Sequence, residues 1–442
     1  MGFDNITSLP VEIVQRMAYE TGVLEPKDVL SLALTSKEMY ALALGPLGSE
    51  NVFDRDQHRA LGGVLFCVEK GWWGAVLLAI KRGYGDVEEQ MVHQGAYCSL
   101  FVLACKAGEL SVVKELLRRG VESESDDVAK GFFSACEVGA SGIVSALLGD
   151  GRVDSVCREG RTIAYAAMNG HADVVGLLLG DDRVDPAADG DKALRWAARN
   201  GHTKVVQLLL ADDRVDPAAD DDYAIRWSAL YGHLEVVRLL LEDHRVNPGA
   251  DDDYAVSSAA GRGHADVVQL LLEDERVNPA AGNDEAIRFA ARGGHADVVQ
   301  LLLEDERVDP AADDSYAIRW AAESGHADVV QVLLADERVD PAADNDYALR
   351  FAARDGRTEV VQLLLADDRV NLEAKDYQPL CFAVSNGHAD VVQLLLDTGR
   401  VPPSARRAAL SATIQRASPA VEQRRVAACR LLRHHGLDHA LW

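Results

Sequence analysis

Hydrophobic and polar positions recur in a fixed order along most of the chain. The stretch GHADVVQLLLEDERVNP begins at Gly263 and returns almost unchanged from Gly294 and from Gly325. In the last copy, the valines and leucines of residues 329–334 form a broad apolar stripe at helical spacing. The stripe predicts a short helix that is contacted from two sides.

The segments around this helix predict a helical hairpin followed by a loop. Residues 316–323 have helical composition, Gly325 interrupts the pattern, and Val-Asp-Pro with an Asp/Asn cluster follows the second helix. Proline ends a helix, and clustered Asp and Asn favour turns. One such unit is too small to bury its apolar face alone, so we expect copies to stack.

The spacing of one glycine fixes the register of the copies. Every step between successive positions is 31 residues, and the positions are 108, 139, 170, 201, 232, 263, 294, 325, 356 and 387. A degenerate eleventh unit is predicted from Gly71, where GWWGAVLLAIKRG matches GELSVVKELLRRG from Gly108. A fixed period of this kind predicts a repeat protein.

The stretch WSALYGHLEVVRLLLEDHRVN from Trp227 resembles the ankyrin repeat. The resemblance spans about residues 60–400 and implies an all-α repeat solenoid of about eleven ankyrin repeats that binds proteins. The family unit has about 33 residues, so a 31-residue unit predicts short loops between repeats. Tyr-Ala-Ile-Arg from Tyr223 replaces the family's Thr-Pro-Leu-His, and Asp222 and Asp346 are predicted as replacement N-caps.

The first 45 residues do not follow the repeat. Leu-Pro-x-Glu from Leu9, then Pro-x-Asp from Pro26, then Ser-Lys-x-Met from Ser36 resemble an F-box. That resemblance implies docking on the Skp-family adaptor of a cullin–RING ubiquitin ligase. A three-helix cap on the solenoid is the alternative. The implied docking face comprises Leu9, Pro10, Ile13, Val29, Leu30 and Leu34.

These patterns predict four segments. They are an F-box-like helical domain at 1–46, a linker with the degenerate first repeat at 47–95, the repeat array at 96–400, and a basic C-terminal helical cap at 401–442. From residue 405 onward, the sequence has seven arginines and only two acidic residues, Glu422 and Asp438. The basic end is interpreted as a solvated cap, with a docking patch as the alternative.

Charge and cysteine content limit the classes of binding partner and the cellular compartment. A net charge of −26 disfavours nucleic acid, and no apolar run approaches the length of a membrane span. The seven cysteines contain no C-x-x-C pair, and no signal-peptide pattern opens the chain. We expect a monomer in a reducing compartment, the cytoplasm, with the nucleus or the cytoplasm of an infected host cell as alternatives.

The sequence offers little evidence for a metal site or a catalytic site. The histidines of the Gly-His pairs belong to successive repeats, whose helices stack about 8–10 Å apart. That distance is too great for two of them to share a zinc ion. We therefore interpret them as packing residues. The Asp clusters lack the closing glutamate of a calcium loop and are interpreted as an acidic ridge, which gives solubility or attracts a basic partner. No nucleophile, phosphate loop or Cys/His set is present. We predict no enzyme activity, no cofactor and no metal.

A second ladder pairs an arginine with an aromatic residue in each unit. Its arginines are expected to pair with the acidic loops, and its rings are expected to pack between units. The ladder comprises Arg195-Trp196, Arg226-Trp227, Arg288-Phe289, Arg319-Trp320 and Arg350-Phe351.

Binding specificity should lie where the copies differ at exposed positions. The residues before each Gly-His vary most, and the largest break spans about 227–262, where Ser257-Ser258 replaces the usual Arg-aromatic pair. The candidate partner-binding residues are Arg199, Asn200, Trp227, Leu230, Tyr231, Arg262, Arg292, Glu323 and Arg354. The resemblances together favour a substrate-recruiting F-box receptor of an SCF-type ubiquitin ligase. The alternative is an ankyrin scaffold or inhibitor with no ligase role.

Overall fold

The computed structural model describes residues 73, 76–77, 80, 90–93, 96–119, 126–150, 153, 160–415 and 422–434. The predicted F-box-like segment, with its docking face from Leu9 to Leu34, lies outside the described residues. So does most of the degenerate unit predicted from Gly71.

Two compact units divide the chain. Of the described residues, unit 1 comprises those up to Ala197 together with 204–215, and unit 2 comprises 198–203 and those from Asp216 onward. Unit 1 opens its described part with a short antiparallel hairpin, β1 (Gln90–His93) and β2 (Ala96–Ser99), in which Met91 pairs with Cys98. The sequence had not predicted this hairpin, because the segment lies in the gap between the degenerate unit and the first regular one.

Helices in pairs form the rest of the described chain. The pairs up to the unit boundary are α1 (Leu100–Lys106) with α2 (Leu110–Arg119), α3 (Asp126–Val138) with α4 (Ser141–Asp150), α5 (Arg161–Met168) with α6 (Ala172–Leu179), and α7 (Ala188–Arg199) with α8 (Thr203–Leu210).

Unit 2 continues with α9 (Ala219–Leu230) and α10 (Leu234–Glu242), α11 (Ala250–Arg262) and α12 (Ala265–Leu272), α13 (Ala281–Gly293) and α14 (Ala296–Leu303), α15 (Ala312–Ser324) and α16 (Ala327–Leu334), α17 (Ala343–Arg354) and α18 (Thr358–Leu365), α19 (Ala374–Asn386) and α20 (Ala389–Asp397), α21 (Pro403–Gln415) and α22 (Glu422–His434). We call the first helix of each repeat the inner helix and the second the outer helix. Apart from the β1–β2 hairpin, the described part of each unit is a solenoid of stacked helical repeats, as the sequence predicts.

The core follows the predicted apolar stripe. In α12, Val267, Val268 and Leu271 are fully buried, and burial of each contributes roughly 1.5–3 kcal/mol. In the neighbouring inner helix α13, Ala290 and Ala291 are equally buried. In unit 2, inner helices pack on the inner helices of adjacent repeats and on their own outer helix. Alanine at the contact allows the backbones to approach closely, which suits a helix covered on two sides.

The Gly-His pair locks consecutive repeats together. Gly232 has φ +74°, which favours glycine, and a β-carbon there would lie 2.6 Å from Nδ1 of His264 in the next repeat. The Nε2 of His264 donates to the carbonyl oxygen of Leu230 at 3.2 Å. The histidine therefore covers the glycine and caps the preceding helix end, which confirms its interpretation as a packing residue.

We expect the substitution Gly232→Ala to lower the free energy of unfolding by at least about 2 kcal/mol, because alanine is strained at this φ and would collide with the histidine ring. Urea denaturation measures the change. The control is Gly176→Ala in α6, where a β-carbon would meet no heavy atom within 4 Å. That variant should gain up to about 1 kcal/mol from helix propensity. An unchanged midpoint for Gly232→Ala would contradict the steric explanation.

Candidate functional site

A left-handed turn of three residues lies near the start of each inner helix from α9 to α19, inside the bounds given above. All three residues have φ between 46° and 61°. The turns of unit 2 occupy residues 220–222, 251–253, 282–284, 313–315, 344–346 and 375–377. Gly, Asn and Asp tolerate this conformation better than other residues, which explains why Asp and Asn predominate in the turns from residue 220 to residue 346. The predicted short loops are therefore left-handed turns.

The third residue of the turn is buried and binds the next repeat. Asp253 is 8% exposed, and its Oδ1 accepts the backbone N–H of Asn278 at 2.7 Å. Ser315 takes the same place and accepts the N–H of Asp340 at 3.2 Å. The carboxylates of Asp222 and Asp346 likewise accept from Asn247 and Asn371 of the next repeat. The prediction that Asp222 and Asp346 are N-caps is wrong, because stacking places a neighbouring backbone donor within their reach.

A second bridge between repeats joins an aspartate and an arginine two residues apart. Asp274 forms an ion pair with Arg276 at 2.6 Å, and the same guanidinium donates to the carbonyl oxygens of Val246 at 2.8 Å and Leu241 at 3.1 Å. The same Asp-x-Arg pairs stand at 305–307, 336–338 and 367–369. Asp-x-Arg recurs at one register in the repeats, but the pattern alone does not show that the guanidinium reaches the preceding repeat.

The two bridges shift carboxyl pKa values in opposite directions. Burial raises the pKa of Asp253, and the hydrogen bond from Asn278 offsets part of that rise. The hydrogen bond from the Arg276 side chain lowers the pKa of Asp274. Asp253 thus acts as a buried hydrogen-bond acceptor, and Asp274 acts as an ion-pair partner.

The tips of the turns carry the predicted acidic ridge. Asp220, Asp221, Asp251, Asp252, Asp313 and Asp314 are all exposed. Within the described ranges, no group of three or more His, Cys, Asp or Glu side chains could hold a metal ion. The ridge is a set of surface charges attached to rigid turns.

The arginine ladder braces these turns, as predicted. Arg226 donates to the carbonyl oxygens of Asp220 and Asp221 in its own turn and pairs with Asp251 of the next repeat at 2.8 Å. Arg288 and Arg319 pair in the same way with Asp313 and Asp344. Arg195 donates to the carbonyl oxygen of Asp189 in unit 1. Arg350 donates to the carbonyl oxygens of Asp344 and Asn345 and to Gln378, and it is 4% exposed.

The rings of the ladder lie against their neighbours. Trp196 meets Tyr165 edge-on within unit 1, with centroids 5.9 Å apart. Trp320 stacks on Tyr316 and Phe351 stacks on Tyr347, four residues earlier on the same helix.

At the carboxyl ends of the inner helices, an arginine covers the aromatic residue of the following repeat. Arg199 lies over Trp227, with its guanidinium carbon 5.0 Å from the ring centroid, and it also donates to the Tyr231 hydroxyl at 3.3 Å. Arg292 lies over Trp320 at 5.1 Å. We call this part of unit 2 the inner face. It comprises residues 199–200, 227–231, 258–262, 289–293, 320–324 and 351–355.

The inner face contains every candidate partner-binding residue. The structure brings Arg199, Trp227 and Tyr231 together in one cluster, in which Tyr231 is 43% exposed. Asn200, Arg262 and Arg292 are exposed, whereas the Leu230 side chain is half-buried.

Glu323 and Arg354 satisfy each other at the far end of the inner face. They form an ion pair at 2.7 Å, and Tyr347 donates its hydroxyl to Glu323 at 2.8 Å. Burial and this hydrogen bond raise the pKa of Tyr347 to about 12. Arg354 also pairs with Asp355 and lies 4.3 Å from the centroid of Phe351. These two candidates are therefore occupied by internal contacts.

Ser257 and Ser258, at the predicted break, are buried. Their hydroxyls donate to the carbonyl oxygens of Tyr254 and Ala255 in the same helix. They contribute packing and no exposed polar group.

Comparison with known families assigns this architecture. The model of ankyrin repeats (three copies) matches residues 101–188, 132–221, 163–252, 225–314, 256–342 and 318–404, which together cover more than half of the chain. The chain belongs to the ankyrin-repeat family. No curated protein matches it. Its ankyrin repeats make it a protein-interaction module. None of the helices in the described ranges is long and apolar enough to cross a membrane.

We expect Asp253→Asn to keep or raise the free energy of unfolding near neutral pH, because the amide oxygen still accepts from Asn278 without a buried charge. A raised native pKa stabilises the fold below the ordinary aspartate value of about 3.9, and that contribution is lost as pH rises through the native pKa. Asp253→Ala should cost about 1–3 kcal/mol through the unpaired N–H. Urea denaturation at several pH values measures both. Equal losses for both variants would contradict the burial argument.

Asp274→Asn should show the opposite pH dependence. The lowered pKa of Asp274 stabilises the fold above the ordinary aspartate value, and this contribution is lost as pH falls through the native pKa. We expect the free energy of unfolding to fall by about 1 kcal/mol near neutral pH and by less in acid. The loss is small because Arg276 is partly exposed. The same titrations measure it. A loss that grows on acidification would rule out the ion pair as the cause.

Proposed function

We propose that this ankyrin-repeat protein is a substrate-recruiting subunit of an SCF-type cullin–RING ubiquitin ligase. The observation that carries the proposal is the F-box-like pattern, Leu-Pro-x-Glu from Leu9 with Pro-x-Asp from Pro26 and Ser-Lys-x-Met from Ser36. Its apolar residues Leu9, Pro10, Ile13, Val29, Leu30 and Leu34 would dock on the Skp-family adaptor.

The division of labour between the two parts of the chain supports this role. Unit 2 holds its side chains on a rigid scaffold, because bonds from side chains to the neighbouring backbone fix each repeat on the next. A rigid array lowers the conformational entropy lost when a target binds. The protein recruits and positions the target, and the catalysis belongs to the other subunits. The role places the protein in the cytoplasm or the nucleus.

A binding experiment with the intact chain tests the adaptor step. The full protein should retain a purified Skp-family adaptor, and the double variant Leu9→Ala, Pro10→Ala should lose most of that binding. A buried leucine truncated to alanine costs about 2–5 kcal/mol, which corresponds to at least about a 30-fold weaker complex.

A matched control is the double variant Val267→Ala, Leu271→Ala in the ankyrin core, far along the chain from residues 1–46. It should weaken the array and leave adaptor binding in place. If the intact protein does not bind the adaptor, the ligase role is wrong and the protein is an ankyrin scaffold or inhibitor.

A further inference from the structure

One ring of the inner face lacks the arginine that covers its counterparts. Arg199 covers Trp227, and Arg292 covers Trp320, each from 28 positions earlier in the chain. The residue 28 positions before Phe289 is Gly261. Phe289 is consequently 36% exposed, and it is one of the exposed large hydrophobic residues in the described ranges.

Gly261 lies directly beside the open ring. A β-carbon at Gly261 would come within 3.1 Å of the Phe289 β-carbon. The Gly261 backbone therefore packs against Phe289 and places no side chain over the ring, whereas Arg199 and Arg292 each cover the next ring; we call this uncovered position the notch. An apolar or aromatic side chain from outside can occupy that space and contact Phe289.

Two exposed arginines flank the notch. Arg262 follows Gly261, and Arg292 stands three positions after Phe289 on the same helix, so it is a surface neighbour of the ring. No carboxylate of the described ranges forms an ion pair with either guanidinium. Other arginines of unit 2, such as Arg226 and Arg276, are paired with aspartates. The exposed guanidinium of Arg262, and that of Arg292 above Trp320, can therefore donate to an external anion.

We propose that the notch at Gly261 and Phe289 binds an acidic peptide segment of the target, with an aromatic side chain over Phe289 and carboxylates on Arg262 and Arg292. Aromatic residues and arginine contribute most strongly to protein interfaces, and guanidinium–carboxylate bonds are among the strongest polar contacts there. The inference deepens the proposed role of the ankyrin array and needs no contribution from the F-box-like segment.

The net charge of the chain does not prevent this assignment. The exposed aspartates of the turn tips stand at the opposite end of the inner helix from Arg262, whereas the exposed Asp266 and Asp297 lie in the first turn of the outer helices that follow Arg262 and Arg292. The right-handed part of α11, residues 254–262, spans roughly 13 Å, which exceeds the Debye length of about 8 Å at physiological salt. Salt therefore largely screens the notch from the tips, which repel acidic segments that extend towards them.

Short synthetic peptides of one length test the proposal with the full chain. Alternating Glu-Tyr is the main probe, alternating Glu-Ala lacks the ring, and alternating Lys-Tyr reverses the charge. Fluorescence anisotropy should show the tightest binding for Glu-Tyr, weakening as salt is raised. Arg262→Gln, Arg292→Gln and Phe289→Ala should each lower that affinity about 10-fold.

Gly261→Arg separates the notch from simple charge attraction. An arginine there would cover Phe289 as Arg199 covers Trp227, so the preference for Glu-Tyr over Glu-Ala should disappear although a positive charge has been added. Thermal melting checks that the variant folds. The control Arg238→Gln removes an exposed arginine from the outer helix α10 and should change Glu-Tyr affinity less than about twofold.

Two results would overturn the assignment. One is Lys-Tyr binding as tightly as Glu-Tyr, which would assign the attraction to the acidic turn tips. The other is a folded Gly261→Arg protein that keeps its preference for Glu-Tyr. Adaptor binding is measured in separate samples, so failure of the ligase role and failure of this site give different outcomes.

Discussion

Hydrogen bonds from side chains to the backbone of the adjacent repeat hold each unit of this protein together. The His264 ring caps the helix end before it, Asp253 accepts from the backbone after it, and Arg276 binds two carbonyl oxygens of the repeat before it. Each bond satisfies a backbone group that stacking removes from water and that would otherwise be costly to bury. The alanine and valine core supplies the favourable burial, and these bonds set the register at which repeats stack.

The same constraint explains which positions are free to vary. Several positions of each repeat bind or pack against the adjacent repeat. They are the glycine at the helix end, the histidine after it, the Asp-x-Arg pair and the buried residue of the turn. The residues just before each Gly-His make fewer contacts of this kind. Arginine, leucine, glycine and glutamate all occur there. Variation at one of these positions alters the exposure of a ring 28 residues later, as the contrast between Trp320 and Phe289 shows.

The period, the helical hairpin and the buried stripe could be predicted from the sequence because each depends on residues close together in the chain. The role of Asp222 could not, since its partner, Asn247, is brought near only by the stacking offset. The break near residues 227–262 is a difference between copies that can be read directly from the sequence. Its open ring, Phe289, lies beyond that range, because the exposure of a ring depends on the side chain contributed by another repeat.

The bonds between repeats also affect how such a chain can change in length. His264 and Asp253 recognise main-chain groups that every repeat possesses, so a repeat does not depend on the side chains of its neighbour for most of its contacts. Loss or duplication of a 31-residue segment of the gene therefore joins surfaces that already match. The near-identical copies from Gly263, Gly294 and Gly325 have the form that recent duplication would leave.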